Sequence, residues 1–88
     1  MGELPVKSKE LKYIVVSDWE GIERAIVFDP KLIHRDVAKI HSASHGPRVI
    51  SAGFCLLFPE AKAYGMSDSL RLESRPVEDT AILAAMLS

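Results

Sequence analysis

The sequence has little of what marks a secreted, membrane-spanning or nucleic-acid-binding chain. Its single cysteine, Cys55, cannot form an intramolecular disulfide. Basic and acidic residues nearly balance, 11 against 12, so no overall charge attracts nucleic acid or anionic lipid. No apolar run approaches the roughly 18–20 residues that span a membrane. The polar opening MGELPVKSKELK lacks the apolar segment of a secretory signal. These absences predict a cytoplasmic protein.

Motifs for catalysis are equally scarce. The chain contains no G-x-S-x-G nucleophile elbow and no glycine-rich phosphate loop of the G-x-x-x-x-G-K or G-x-G-x-x-G type. Cys55 lies within the apolar run AGFCLLF, where a buried thiol is a poor nucleophile. We therefore expect a protein that is not an enzyme and that needs no cofactor.

The composition present is that of one small folded domain. Of the 88 residues, 48% are hydrophobic and 26% are charged, enough for one core and a polar surface. Residues 1–10 contain Pro5 and four charged side chains without periodicity, which predicts a flexible tail. Residues 11–88 are expected to form a single α+β domain.

Four segments have the pattern of β-strands. Residues 11–17 are rich in β-branched and aromatic residues, and a turn at 17–21 leads to an alternating return strand over 22–28. Residues 48–58 form the longest apolar run and predict a central strand buried on both faces. In that strand Gly53 predicts a bulge or a close backbone approach. Residues 63–74 predict one interrupted strand or two short ones.

Two segments have the pattern of helices. Asp29 suits an N-cap and Pro30 the first helical position, and apolar residues follow on one face at Ile33, Val37 and Ile40. A second helix is expected after Ser74 or Arg75 as the cap, with a proline in its first turn. The predicted order is β-β-α-β-β-α, with an antiparallel sheet and both helices packed on one face.

The second helix is apolar nearly all round over residues 81–87. A helix that lies on a sheet needs only one apolar stripe. Either both sides are covered within the monomer, or a second copy covers the rest. This pattern predicts a homodimer through the C-terminal helix.

All three histidines lie in the stretch IHRDVAKIHSASHG. On an ideal helix His34 and His41 are about 10 Å apart along the axis, too far for one zinc ion with bonds of about 2.1 Å. His41 and His45, four residues apart, are the pair able to share a metal, but SAS between them provides no general base. The alternative to a metal site is histidines that flank the apolar face, partly exposed.

Basic residues recur every four positions on the first helix, at Lys31, Arg35 and Lys39. Arg48 extends this stripe. Such a stripe is able to contact phosphates, although Asp36 interrupts it and no aromatic residue accompanies it. The alternative is an ordinary solvated helix face.

A second polar group lies in RLESRP, where Arg71, Glu73 and Arg75 are predicted to project from one face of the last strand. Either they form weak surface salt bridges, or this open face docks a protein partner. Trp19 in the hairpin turn is either a lid over the core or an exposed anchor for a partner.

Residues 49–83 contain three short motifs: SAGF at 51–54, a YG-x-S element at 64–67, and SL-x-L-x-SRP at 69–76 before an acidic helix start. In these motifs the segment resembles a family of small uncharacterised proteins encoded by tailed phages and prophages. No chemistry is assigned to this motif, so it assigns no site residue. The resemblance implies an accessory protein of phage origin that acts inside a bacterial host and binds a host or phage protein.

The leading interpretation is a non-enzymatic, phage-related protein-interaction module that self-associates. A nucleic-acid-binding accessory protein that uses the basic stripe is the alternative. A metal-dependent site at His41 and His45 is the third hypothesis.

Overall fold

The structure is a computed structural model that describes residues 9–41 and 48–88. Within these ranges the chain forms six strands and two helices. In chain order they are β1 (Leu11–Ser17), β2 (Glu23–Phe28), α1 (His34–His41), β3 (Arg48–Leu56), β4 (Lys62–Tyr64), β5 (Met66–Ser67), β6 (Leu72–Glu73) and α2 (Pro76–Leu87).

Four strands form an antiparallel sheet in the order β2-β1-β3-β4, and β5 pairs with β6 as a separate hairpin. The predicted α+β class is confirmed. The predicted order is wrong for residues 63–74, which are divided among β4, β5 and β6. Gly65 at φ 78° and Arg71 at φ 55° both adopt left-handed backbone, which no extended strand can continue through.

The two helices cover opposite faces of the sheet. Tyr13 of β1 packs with Leu83 of α2 in one buried cluster, and Ile14 packs with Val37 of α1 in the other. The prediction of both helices on one face is therefore wrong. Successive strand residues point to opposite sides, and β1 is apolar at both sets of positions, so both of its faces need a cover. Each such fully buried side chain contributes about 1.5–3 kcal/mol.

Helix α1 begins at His34, later than predicted. Asp29 caps a turn instead of a helix, because its carboxylate accepts a hydrogen bond from the Lys31 N–H and its carbonyl accepts one from the Leu32 N–H. The buried face is formed by His34, Val37 and Ala38. Of the predicted apolar face, Ile33 and Ile40 are exposed.

Residues of the SAGF, YG-x-S and SRP motifs pack against one another. A Cβ built on Gly53 of β3 would lie 2.5 Å from the Tyr64 carbonyl oxygen and 3.3 Å from the Gly65 carbonyl carbon and the Ser74 Cβ. The Ser74 N–H donates to the Gly65 carbonyl in the same place. Gly53 thus marks a close backbone approach. The bulge in β3 lies elsewhere: Val15 of β1 pairs with Ser51 and Val16 pairs with Val49, so the register shifts by one residue between them.

Cys55 is buried in the cluster beneath α2, as predicted. The expected tail at residues 1–10 lies mostly outside the described residues. Lys9 and Glu10 are described and exposed, and the Glu10 carboxylate accepts a hydrogen bond from the Tyr64 hydroxyl.

Candidate protein-docking site

A groove of about 500 Å³ runs between strand β2 and helix α2. We name it the β2–α2 groove. It is lined by Glu23, Arg24, Ala25, Ile82, Ala85 and Met86. Ala25 lies on the side of β2 that faces α2, and its small side chain leaves open space at the bottom of the groove. The walls on the helix side are aliphatic, which makes this groove suited to an apolar side chain.

The outer edge of β2 is unpaired in the described part of the chain, because β2 is the first strand of the sheet. The Asp18 N–H donates to the Ile22 carbonyl at the hairpin. Hydrogen-bonded pairs alternate along an antiparallel ladder, so the backbone groups of Arg24 and Ile26 point to β1. Those of Glu23, Ala25 and Val27 point outward and are available to another strand.

Helix α2 has further exposed apolar side chains on its other sides. Val77 is 80% exposed, and Met86 and Leu87 are each about half exposed. Residues 80–88 include no charged side chain. The segment 81–87, predicted to be apolar nearly all round, leaves most of its side chains exposed, and among the described residues of α2 only Asp79 and Leu83 are buried.

A buried hydrogen-bond network holds α2 in place beside β2. The Asp79 carboxylate is fully buried and accepts a hydrogen bond of 2.6 Å from the Tyr13 hydroxyl of β1. The same carboxylate accepts hydrogen bonds from the Arg75 backbone N–H and from its guanidinium, at 2.9–3.0 Å. Arg75 also pairs with Glu23 of β2 at 2.8 Å. The network therefore fixes the two walls of the groove relative to each other.

The electrostatics of the network agree with its geometry. Burial and the neighbouring Asp79 carboxylate raise the pKa of Tyr13, so its hydroxyl stays protonated and donates. The hydrogen bond to Glu23 raises the pKa of Arg75, and Asp79 adds to this effect. Glu23 and Asp79 thus share the guanidinium of Arg75, and Glu23 is held beside the groove by an ion pair within the chain.

The three residues predicted as one polar sheet face do not form one. Arg71 lies in the turn between β5 and β6, Glu73 lies exposed in β6, and Arg75 is the N-cap residue of α2. The prediction fails because the left-handed backbone of Arg71 breaks the alternation that would align them. Of the three, Arg75 alone contacts a residue of the groove, namely Glu23.

Trp19 lies at the tip of the β1–β2 hairpin and is 92% exposed. The lid interpretation is therefore wrong, and the exposed position leaves its role as a partner anchor a prediction. The Asp18 carboxylate shapes this tip by accepting hydrogen bonds from the Glu20 and Ile22 N–H groups. Arg48 lines a shallow cleft of about 370 Å³ together with Trp19.

The basic stripe is only partly helical. Lys31 lies in the turn before α1, whereas Arg35 and Lys39 are exposed on one flank of the helix. Arg48 begins β3 and lines the Trp19 cleft. The nucleic-acid hypothesis for these four residues stays a prediction.

The histidines separate in the structure. His34 is buried, contrary to the expectation of partly exposed histidines, and its Nε2–H donates to the Gly53 carbonyl at 2.8 Å. Phe28 and Phe54 contact its ring edge to face. His41 is exposed, and His45 lies outside the described residues. Within residues 9–41 and 48–88, no group of three or more His, Cys, Asp or Glu side chains is placed to hold a metal.

The buried His34 predicts a loss of stability in mild acid. Burial lowers the pKa of its imidazole below the ordinary value of 6.5, although the hydrogen bond to Gly53 opposes this effect. The contribution of the neutral His34 ring to the free energy of unfolding is fully present above pH 6.5. It decreases below pH 6.5, because the unfolded chain then binds the proton more readily than the folded chain. Urea unfolding followed from pH 7.5 to 5 measures this decrease.

Two variants separate His34 from other titrating groups. His34→Gln removes the titration and should flatten this part of the pH profile. His41→Gln changes an exposed histidine on the same helix, leaves His34 and its contacts in place, and serves as the matched control. If the free energy of unfolding of His34→Gln and of the unmodified protein depended on pH in the same way, His34 would not be the cause of the loss of stability in acid.

Comparison of the chain with protein-family models, curated protein sequences and solved structures finds no match. In the part of the chain that the structure describes, neither helix is long and apolar enough to cross a membrane.

Sequence reasoning identified the apolar α2 but missed the adjoining edge of β2. The segment ERAIVF at 23–28 has neither proline nor lysine, two residues that commonly protect an edge strand. That signal becomes informative only when the strand is known to lie at the edge of the sheet.

Proposed function

We propose that this protein is a non-enzymatic accessory protein, related to phage or prophage proteins, that acts as a protein-interaction module inside a bacterial host cell. The observation that supports the docking role is the position of the unpaired β2 edge directly beside the apolar β2–α2 groove. The two features offer main-chain and side-chain contacts to the same partner.

This combination suits β-strand addition. An extended segment of a partner protein pairs with the outward backbone groups of Glu23, Ala25 and Val27 and gains main-chain hydrogen bonds. One of its apolar side chains enters the groove against Ile82 and Met86, which gives specificity. Nucleic acid has no equivalent extended backbone that could donate and accept at a sheet edge.

The non-enzymatic part of the proposal is supported by the state of the reactive side chains. The Tyr13 hydroxyl and the His34 ring are both engaged in structural hydrogen bonds. Burial raises the pKa of the Cys55 thiol to about 11. At neutral pH about one Cys55 in ten thousand is then a thiolate, the form that acts as a nucleophile.

The phage relation and the bacterial location are supported by the sequence motif alone. In the fold, its residues have structural contacts: Gly53 and Gly65 approach closely, and the Ser69 hydroxyl accepts a hydrogen bond from the Arg35 N–H at the start of α1. The motif therefore accounts for the scaffold, and the docking site lies outside it.

Site-specific photocrosslinking tests the docking role. A photoreactive benzoylphenylalanine replaces Ala85 in the groove wall, and in a matched variant it replaces Lys62, an exposed residue of the opposite edge strand. On irradiation in bacterial cells we expect a nuclease-resistant protein adduct from position 85 and none from position 62.

The substitution Met86→Glu provides the control for the groove. A charge in the apolar wall should weaken docking at least tenfold, which corresponds to about 1.4 kcal/mol, and should reduce the adduct accordingly. Mass spectrometry of the adduct identifies the partner. Adducts of equal yield at both positions, adducts unaffected by Met86→Glu, or adducts that contain nucleic acid would refute the proposal.

A further inference from the structure

We infer that the β2–α2 groove is occupied by a second copy of this chain, with the two β2 strands paired antiparallel about a two-fold axis at Ala25. This inference rests on the proposed docking function and specifies its partner. Pairing in this way joins two four-stranded sheets into one of eight strands. It places the two α2 helices on the same face, opposite each other across the axis.

The two sheet edges differ in how well they are protected. The edge strand β4 has three residues, and Lys62 occupies one of them. Short edge strands and edge lysines are common devices against strand pairing. The other edge strand, β2, has six residues, and its pairing with β1 is regular throughout. The structure therefore favours β2 as the pairing edge.

The two-fold axis restricts the register. A two-fold axis perpendicular to the sheet keeps the α2 face of both copies on the same side of the joined sheet. Two residues that lie opposite each other must therefore have side chains on the same face, which means both odd-numbered or both even-numbered residues of β2. The outward backbone groups are those of Glu23, Ala25 and Val27. With the axis at Ala25, the two Ala25 residues face each other as a hydrogen-bonded pair, and Glu23 faces Val27 of the second copy.

Charge disfavours the neighbouring registers. Moving the axis to Arg24 places the two Arg24 side chains directly opposite each other. Moving it to Ile26 brings Glu23 toward Asp29 of the second copy, the residue that directly follows β2. Like charges directly opposite each other destabilise strand pairs. The register centred on Ala25 has neither conflict, since both of its charged residues, Glu23 and Arg24, face apolar ones.

The groove and the helix fit the same arrangement. Glu23 is already paired with Arg75 in its own chain at 2.8 Å, so its carboxylate has an ion-pair partner before dimerisation. The groove of each copy opens toward the axis, over the small side chain of Ala25. Ile82 and Met86 of the second copy supply the apolar atoms that fill it. Residues 80–87 of α2 include no charged side chain, so the segment of the helix that lines the groove is apolar.

Mass measurement and disulfide trapping test the dimer. Light scattering of the purified protein should give twice the chain mass of 9.7 kDa at high concentration and a lower mass on dilution. Under oxidation Ala25→Cys should form a covalent dimer, because the Cα atoms of such a pair lie about 5.5 Å apart, within disulfide range. In Val27→Cys the equivalent atoms are four residues apart, about 14 Å, and should not crosslink.

The unmodified protein controls for Cys55, which is buried and should give no crosslink. Ala25→Lys places a charge on the axis and should raise the dimer dissociation constant at least tenfold. A monomer mass at every concentration would overturn the inference, as would crosslinking of Val27→Cys as fast as Ala25→Cys. If the photocrosslinked partner at position 85 is a different protein, the docking function stands and the dimer is wrong.

Discussion

Replacing Asp79 by alanine is expected to lower the free energy of unfolding by about 3 kcal/mol, the lower end for removal of one partner of a buried ion pair. The lower end applies because the side chain of Arg75 is 31% exposed and keeps some contact with water. The substitution leaves the buried Tyr13 hydroxyl without its acceptor and leaves Arg75 with Glu23 alone. Urea unfolding at neutral pH measures the loss.

The adjacent Glu78 provides the control. It is exposed in the first turn of the same helix, so Glu78→Ala should cost no more than about 0.5–1 kcal/mol. Tyr13→Phe combined with Asp79→Ala should cost less than the sum of the two, because the residues share a hydrogen bond. Equal losses for Glu78→Ala and Asp79→Ala would show that the network does not stabilise the fold.

The consequences of the Asp79 substitution extend to the docking site. Asp79 and Arg75 connect the start of α2 to β1 and β2, so loss of the carboxylate loosens one wall of the groove. Photocrosslinking from position 85 should therefore decrease in Asp79→Ala under conditions where most of the protein is folded. Such a decrease would couple stability and docking at a residue that does not line the groove.

Replacing Gly53 by alanine is expected to destabilise the fold by about 3 kcal/mol, the upper end of the usual cost of overpacking. The new Cβ would lie 2.5 Å from the Tyr64 carbonyl oxygen, a backbone atom that cannot rotate away. Tyr64 is held by its pairing with Phe54, so relief of the clash requires β4 to separate from β3. For a domain of this size the melting temperature should fall by roughly 12–24 °C.

Gly21 separates this steric effect from backbone strain. It has φ 84°, and nothing lies within 4 Å of a Cβ built on it. Gly21→Ala should therefore cost about 1–2 kcal/mol through its left-handed backbone alone. If Gly53→Ala costs no more than Gly21→Ala, the close approach of β3 to the β4–β5 connection is looser than the structure shows.

Elements whose signals are local were predictable from the sequence. The β-branched run at Leu11–Ser17 and the turn that follows it predicted the hairpin, because these preferences act between neighbours. Arg75 before Pro76 predicted the start of α2, since proline suits the first helical position. The Asp29–Pro30 pair was misleading because an aspartate caps a turn as readily as a helix.

The assembly of these elements was decided only by the tertiary structure. Tyr13 and Asp79 lie 66 residues apart, and no local pattern predicts that they share a hydrogen bond. The apolar positions of β1 are compatible with helices on one face or on both. Strand β1 pairs with β3 at the centre of the sheet, so apolar side chains on both faces of the sheet need a helix to cover them.

The candidate site follows the same division. The apolar character of α2 is a property of the sequence, since it depends only on which residues share a helix. The position of β2 at the edge beside α2 depends on strand order, which arises from long-range pairing and packing. The sequence by itself therefore determined the elements and their apolar faces, whereas the tertiary structure decided which of those surfaces remain uncovered.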